Sequence, residues 1–167
     1  GKTIGIIGLG RIGTKVAKYA KAFGMKVCFY DPYVEHKRHK KVESLADLDQ
    51  CDVISINCAL TRETFGMIRP GLWDYIGEKT IVVNTSRGEV VDEDYIADLV
   101  RNNGILYGTD VLRNEQNIAQ LKKSPILALS KRTQSVVVTP HVAGATKESQ
   151  TKALLTTLDL VKGIIKA

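Results

Sequence analysis

The run Gly8-Leu9-Gly10-Arg11-Ile12-Gly13 follows directly on the apolar residues Ile4-Gly5-Ile6-Ile7. A strand that feeds a glycine-rich turn and then a helix offers free N–H groups and partial positive charge, which suits a dinucleotide pyrophosphate. In that arrangement Gly8 permits the tight turn, Gly10 lets the backbone approach the phosphates, and Gly13 lets the helix pack close to the strand. Glycines also recur in turns for steric reasons alone. The distinguishing residue is Asp31, which closes the next apolar run, Lys26-Val27-Cys28-Phe29-Tyr30. An acid about 20 positions beyond the glycines is where the adenosine ribose hydroxyls need an acceptor. Its charge also repels the extra phosphate of NADP, so the pattern predicts NAD as the cofactor.

Three further side chains have chemistry to offer. Arg87 lies in Asn84-Thr85-Ser86-Arg87-Gly88, Glu115 follows Asp110-Val111, and His141 ends Thr139-Pro140-His141, each just past an apolar run. Singly, an arginine after a strand is usually a surface charge and a histidine is usually structural. Together on one rim they form a set. Hydride transfer at a carbinol carbon needs a proton donor and acceptor beside the oxygen, a task that suits histidine near neutral pH. A carboxylate such as Glu115 on the imidazole would stabilise its protonated form and fix the tautomer. A guanidinium such as Arg87 could hold a substrate carboxylate and polarise the adjacent carbonyl.

These groups need a frame, and the hydrophobic pattern supplies one. Strands are expected at 3–7, 26–30, 52–57, 80–84, 105–109 and 135–139. The β-branched runs Val53-Ile54-Ser55-Ile56 and Ile81-Val82-Val83 are of buried-strand type. A helix over 11–23 would turn Ile12, Val16, Tyr19, Ala20 and Phe23 to one face and stop at Gly24. A second would run from about Asp92, as cap, to Asn103 before Gly104. The last, from about Thr146 to Ile165, carries Leu154, Leu155, Leu158, Val161 and Ile165 along one side. Six strands with intervening helices imply an α/β fold, a doubly wound parallel (Rossmann) sheet with helices on both faces. Ligands of such sheets lie outside the carboxyl ends of the strands, where Arg87, Glu115 and His141 emerge beside the glycine turn.

Composition narrows the class. The 167 residues are 44% hydrophobic and 25% charged, ordinary for one folded unit, with no internal repeat, low-complexity segment or linker. The net charge of +6 is partly concentrated in His36-Lys37-Arg38-His39-Lys40-Lys41. With no aromatic or glycine pattern beside it, that run reads as a solvated loop and not as a nucleic-acid surface. Cys28, Cys51 and Cys58 are odd in number and unpatterned, which argues against a disulfide framework or a metal site. Cys28 and Cys58 read as buried strand thiols suited to a reducing compartment. Neither a signal peptide nor an apolar run of membrane-spanning length is visible, so a cytoplasmic location is expected.

Several separated segments carry a family resemblance. Gly8–Gly13, Asn84 to Asp92, Gly108-Thr109-Asp110-Val111 and Thr139 to Thr146 are similar, in this order, to the D-isomer-specific 2-hydroxyacid dehydrogenases. Cys58-Ala59-Leu60-Thr61 with Thr64 resembles that family's adenine-side loop. The resemblance implies Arg87 as the contact to the substrate carboxylate and carbonyl, His141 as acid/base, and Glu115 as the histidine's partner. It implies Asp110 at the nicotinamide end and Asp31 on the adenosine ribose. The implied NAD-contacting set is Gly8, Gly10, Arg11, Ile12, Gly13, Asp31, Cys58, Thr64, Thr85, Ser86, Arg87, Asp110, His141 and Gly144. The chain departs from the family pattern where Ala59 replaces a proline, Ser86 replaces an alanine, and Gln116 replaces the proline after the glutamate.

In the family the nucleotide domain is inserted into a second domain that supplies much of the substrate site. Residues 1–167 are therefore expected to be an NAD-binding domain without the substrate domain of its parent, weakly active or inactive alone. Leu158, Ile164 and Ile165 on the final helix would then lack a packing partner. The implied partners are a 2-hydroxyacid or 2-oxoacid and, in the full-length parent, a second copy as homodimer; neither nucleic acid nor membrane is expected. The alternative is a non-enzymatic, NAD(H)-sensing, corepressor-like relative, which can keep the same residues. A methyltransferase with a glycine-rich first loop would leave Arg87, Glu115 and His141 without a purpose.

Overall fold

A computed structural model describes residues 1–71 and 76–165. Among them, seven strands form one parallel sheet: β1 (Thr3–Ile7), β2 (Lys26–Tyr30), β3 (Lys40–Lys41), β4 (Val53–Ile56), β5 (Ile81–Asn84), β6 (Leu106–Thr109) and β7 (Val136–Val138). Their order is β3-β2-β1-β4-β5-β6-β7. The chain winds outward from β1 through β2 and β3, then returns to lay β4 on the other side of β1. The carboxyl ends of β1 and β4 therefore meet at the switch point, where open α/β sheets bind ligands.

The six expected strands are present, four of them shortened by a residue at one or both ends. β3 is a correction, because it lies inside the basic run expected to be loop. Lys40 and Lys41 pair with Cys28 and Phe29 at the sheet edge. Only backbone groups are needed there, and lysine on an edge strand discourages further pairing, so no apolar alternation announces it. Cys58 is a second correction. It stands beyond the end of β4, half-buried on the loop and not in the strand.

Helix α1 (Arg11–Ala22) buries Gly13, Ala17 and Ala20 against Ile4, Ile6, Val27 and Phe29. The expected inward face was different: Ile12, Tyr19 and Phe23 are exposed, and Val16 is only half-buried. The close approach of α1 to β1 leaves room for small side chains only. On the opposite face, Ile7, Ile54, Ile56 and Val82 pack with Leu48, Ile96 and Ile126. There α2 (Glu93–Asp98) starts at Asp92, whose carboxylate accepts the N–H groups of Asp94 and Tyr95. The expected single helix to Asn103 instead continues as a π-turn over Leu99–Asn103 and ends at Gly104, which adopts φ 68°.

The short helices α3 (Ile118–Leu121) and α4 (Pro125–Ser130) precede β7, and α5 (Lys147–Ile165) follows it. Leu154, Leu155, Leu158, Val161 and Ile164 of α5 are exposed, and the side chain of Ile165 lies outside the described residues. Beyond β4, Ile81, Leu106 and Val137 on the α1 side of the sheet are exposed as well. No helix among the described residues is long and apolar enough to cross a membrane.

Candidate functional site

At the switch point Gly8 adopts φ +87°, and a Cβ there would stand 2.7 Å from both N and Cα of Cys58. The turn after β1 and the loop after β4 therefore meet backbone to backbone. A Cβ on Gly13 would lie 2.1 Å from the carbonyl oxygen of Gly8, so the start of α1 presses on the same turn. The first turn of α1 contains no acidic side chain to compete with an anion for its free N–H groups. Gly10, by contrast, has no protein atom within 4 Å of where a Cβ would be.

Asp31 is tied to this turn. Its Oδ2 accepts the N–H of Leu9 at 2.9 Å and its Oδ1 accepts that of Tyr33 at 2.9 Å. A carboxylate oxygen has two lone pairs, so each keeps capacity for a ribose hydroxyl. Asp31 lines a cavity of about 340 Å³ with Gly8, Gly10, Cys58 and Thr64. The Thr64 hydroxyl donates to the carbonyl of Ala59 at 2.7 Å, bracing the loop in which proline is replaced. Across the cavity mouth the Tyr33 hydroxyl donates to Glu63 at 2.7 Å, and that hydrogen bond holds the Tyr33 phenol above its usual pKa.

A second cavity of about 590 Å³ shares Gly10, Asn57, Cys58 and Ala59 with the first and extends to Arg11, Ile12, Thr85, Ser86 and Arg87. The two form one groove from Asp31 to Arg87. Asn57 Oδ1, at their junction, is buried without a hydrogen-bond partner among the described residues. The spare acceptors of Asp31, the open position at Gly10 and this orphan oxygen fit a dinucleotide.

The other end of the groove is built by Asn84, a buried residue not singled out by sequence reasoning. Its Oδ1 accepts the N–H and hydroxyl of Ser86 at 3.0 and 2.9 Å, and its Nδ2 donates to the carbonyl of Arg87 at 3.0 Å. The Ser86 hydroxyl is thus engaged internally. Arg87 remains exposed, its Nη1 donating to the Ser86 carbonyl at 2.7 Å. Directly after it, a Cβ on Gly88 would stand 2.2 Å from the carbonyl carbon of Leu112. The arginine turn therefore bears on the loop that carries Glu115.

In that loop Glu115 Oε2 accepts the N–H of Leu112 at 3.1 Å, and Oε1 lies 2.5 Å from Nδ1 of His141. His141 adopts φ 53° and its N–H donates to the Thr139 carbonyl at 3.0 Å. The imidazole is half exposed, and with Nδ1 engaged, Nε2 is the atom left for proton exchange. His141 and Glu115 border a cavity of about 540 Å³ with the apolar residues Leu112, Leu127, Val138 and Pro140.

Asp110 supports the histidine turn from below. Its Oδ1 accepts the Thr139 hydroxyl at 2.5 Å and the Val142 N–H at 3.0 Å, and its Oδ2 accepts the Ala143 N–H at 2.9 Å. It is buried, with one lone pair of Oδ2 still open. Burial pushes its carboxyl pKa up, but these donors and the His141 charge together hold it below the usual range. Gly144 is exposed in the following turn, its carbonyl accepting the Ser149 hydroxyl.

Glu93 and Glu89 were also missed. Buried Glu93 accepts the Arg113 N–H at 2.7 Å and the Ser124 hydroxyl at 2.6 Å. Glu89 accepts the N–H of Asn114, which adopts φ 55°, at 3.2 Å. At the start of a helix an acid reads as complementing the helix dipole, so the pattern held no signal for these long-range bonds.

The seven-stranded parallel sheet and its glycine turn at the switch point define a Rossmann-type nucleotide-binding domain. Residues 1–143 match the family model "D-isomer specific 2-hydroxyacid dehydrogenase, NAD binding domain", and the chain belongs to that family and binds NAD. It is 37% identical over 156 residues to D-3-phosphoglycerate dehydrogenase of Archaeoglobus fulgidus, covering 90% of this chain and 28% of that protein. To the Mycobacterium leprae D-3-phosphoglycerate dehydrogenase it is 40% identical over 159 residues, 92% of this chain and 29% of the other. Among solved structures, D-lactate dehydrogenase from Aquifex aeolicus, complexed with NAD and lactic acid, superposes with a TM-score of 0.84 at 33% identity. That match covers 99% of this chain and 54% of the other. The chain thus spans less than a third of the length of these phosphoglycerate dehydrogenases.

Proposed function

We propose that this chain is the cofactor-binding part of an oxidoreductase that interconverts a D-2-hydroxyacid and its 2-oxoacid. The observation that carries the reading is the 2.5 Å approach of His141 Nδ1 to Glu115 Oε1 on the rim that also bears Arg87. The small share of each relative that the chain covers supports placing the rest of the substrate cleft in another domain.

NADH held in the groove between Asp31 and Arg87 would supply a hydride for the oxoacid carbonyl. Asp31 accepts from the adenosine ribose, and the free N–H groups at the start of α1 receive the pyrophosphate. Arg87 pairs its planar fork with the substrate carboxylate and draws charge from the adjacent carbonyl. His141, doubly protonated and held through Nδ1 by Glu115, donates the Nε2 proton to the carbonyl oxygen as it becomes a hydroxyl. In the reverse direction neutral Nε2 accepts that proton. Glu115 orients the ring and stabilises its positive form in both directions.

The test is His141→Ala in a protein that joins this domain to a substrate domain. The expected result is a fall in kcat of about 10²-fold or more, with NADH affinity within about twofold of the parent. Equal losses in both would make the histidine structural. The 167-residue chain should bind NADH by calorimetry yet reduce 2-oxoacids far below the common enzymatic rate of about 10 per second.

A further inference from the structure

We infer that Cys28 and Cys51 form a modification site, a dithiol that hydrogen peroxide converts reversibly to an intramolecular disulfide. The two sulfurs lie 3.3 Å apart, one on β2 and one in the turn that precedes β4. Bond formation needs them about 1.2 Å closer. Space for Cys51 exists because residue 5 is glycine: a Cβ there would stand 3.0 Å from the Cys51 sulfur.

Both thiols line a cavity of about 480 Å³ at the amino ends of β1 and β2, away from the NAD groove. Lys21, Lys26, Arg38 and Lys40 line it too, with Asp47 as the carboxylate among the lining residues. Both cysteines are buried, so this cavity is the route by which peroxide reaches them, and its cationic lining favours the thiolate, which is the nucleophile. Either sulfur can donate in their contact, and the Cys28 thiol also donates to the Ile4 carbonyl at 3.7 Å. The contact with Cys51, with the charge of Lys40, outweighs burial and holds the Cys28 pKa below its ordinary value. The same contact and burial push Cys51 up. Cys58 is pushed up to about 11 by burial, and its sulfur faces the Met67 thioether at 3.8 Å. It is the slower thiol.

The Cys28 thiolate attacks one oxygen of the peroxide, the O–O bond breaks, and hydroxide leaves to become water on protonation. The sulfur of Cys51 then attacks that of the Cys28 sulfenic acid and loses its proton, while the S–O bond breaks and the departing hydroxide takes up that proton as a second water. Two thiols lose two electrons, the peroxide gains them, and one disulfide joins β2 to the turn before β4.

The experiment is peroxide treatment of the chain, followed by intact-mass analysis and non-reducing peptide mapping. The expected product has lost two hydrogens, carries a Cys28–Cys51 cross-link, and is restored by dithiothreitol, with Cys58 still open to alkylation after unfolding. Cys58→Ser should give the same cross-link, and Cys28→Ser should give none. Oxygen addition without a cross-link, a cross-link to Cys58, or an unchanged mass under peroxide that oxidises a small free thiol would each overturn the assignment. The wild-type map decides the matter without reliance on any variant's folding.

Discussion

The backbone N–H of Leu9 donates to the Asp31 carboxylate at 2.9 Å, so the turn after β1 and the acid after β2 hold each other in place. Asp31 is thus both a part of the turn and an acceptor at the groove. Hydrogen bonds to a charged group contribute about 1.5–3 kcal/mol, and about 1.4 kcal/mol is tenfold in affinity. Asp31→Ala should weaken NADH binding at least tenfold by calorimetry. It should weaken NADPH binding less, because a repulsion to the extra phosphate is lost at the same time.

The glycines of the turn divide by what surrounds them. Gly10→Ala meets no protein atom, so its melting temperature should match the parent within a degree or so, while NADH affinity falls because the methyl group enters the groove. Gly13→Ala puts a Cβ 2.1 Å from the Gly8 carbonyl. Relief requires backbone movement, and overpacking of this kind costs about 1–3 kcal/mol or more. Urea unfolding of the two variants, beside NADH titrations, separates these effects.

Buried Glu93 makes a distinct prediction. Glu93→Ala leaves the Arg113 N–H and the Ser124 hydroxyl without their acceptor. Each unsatisfied buried group costs about 1–3 kcal/mol, so a loss of about 3 kcal/mol is expected in urea unfolding. Because Arg113 lies in the loop that carries Glu115, the NMR resonances of the His141 ring should shift as well. An unperturbed histidine would show that the loop keeps its shape without Glu93.

These residues also mark how far the sequence could be read. The apolar runs place the strand backbones because β1, β2 and β4 are largely buried and β5, β6 and β7 stay apolar even on their exposed α1 side. Glu115 and His141 were legible as a pair because each follows a strand on the ligand-binding edge. Asn84, Glu93 and the supporting role of Asp110 were not, since a polar side chain does not declare a partner that only the fold brings near. Ile12, Tyr19 and Phe23 misled for another reason. Hydrophobic periodicity weighs size, whereas the tight contact of α1 with β1 selects Gly13, Ala17 and Ala20.

Acid should loosen the histidine turn through Asp110. Its folded-state pKa lies below the ordinary value, so its contribution is complete above about pH 4 and is lost as pH falls through the folded value. Urea unfolding in steps from about pH 5 to pH 2 should show stability declining across this window. Asp110→Asn should flatten the decline. Among the described residues, Asp47 and Asp52 contribute to the slope that remains, their pKa values being lowered by hydrogen bonds from the Ser44 N–H and from Lys2 respectively.

The missing side chain of Gly88 has a mechanical meaning. With no side chain between its backbone and that of Leu112 and Arg113, the arginine turn and the glutamate loop pack backbone to backbone. A hinge closing over a substrate would carry Arg87 and the loop of Glu115 together. On the proposed mechanism, the carboxylate anchor and the support of the proton donor would then reach the substrate in one stroke.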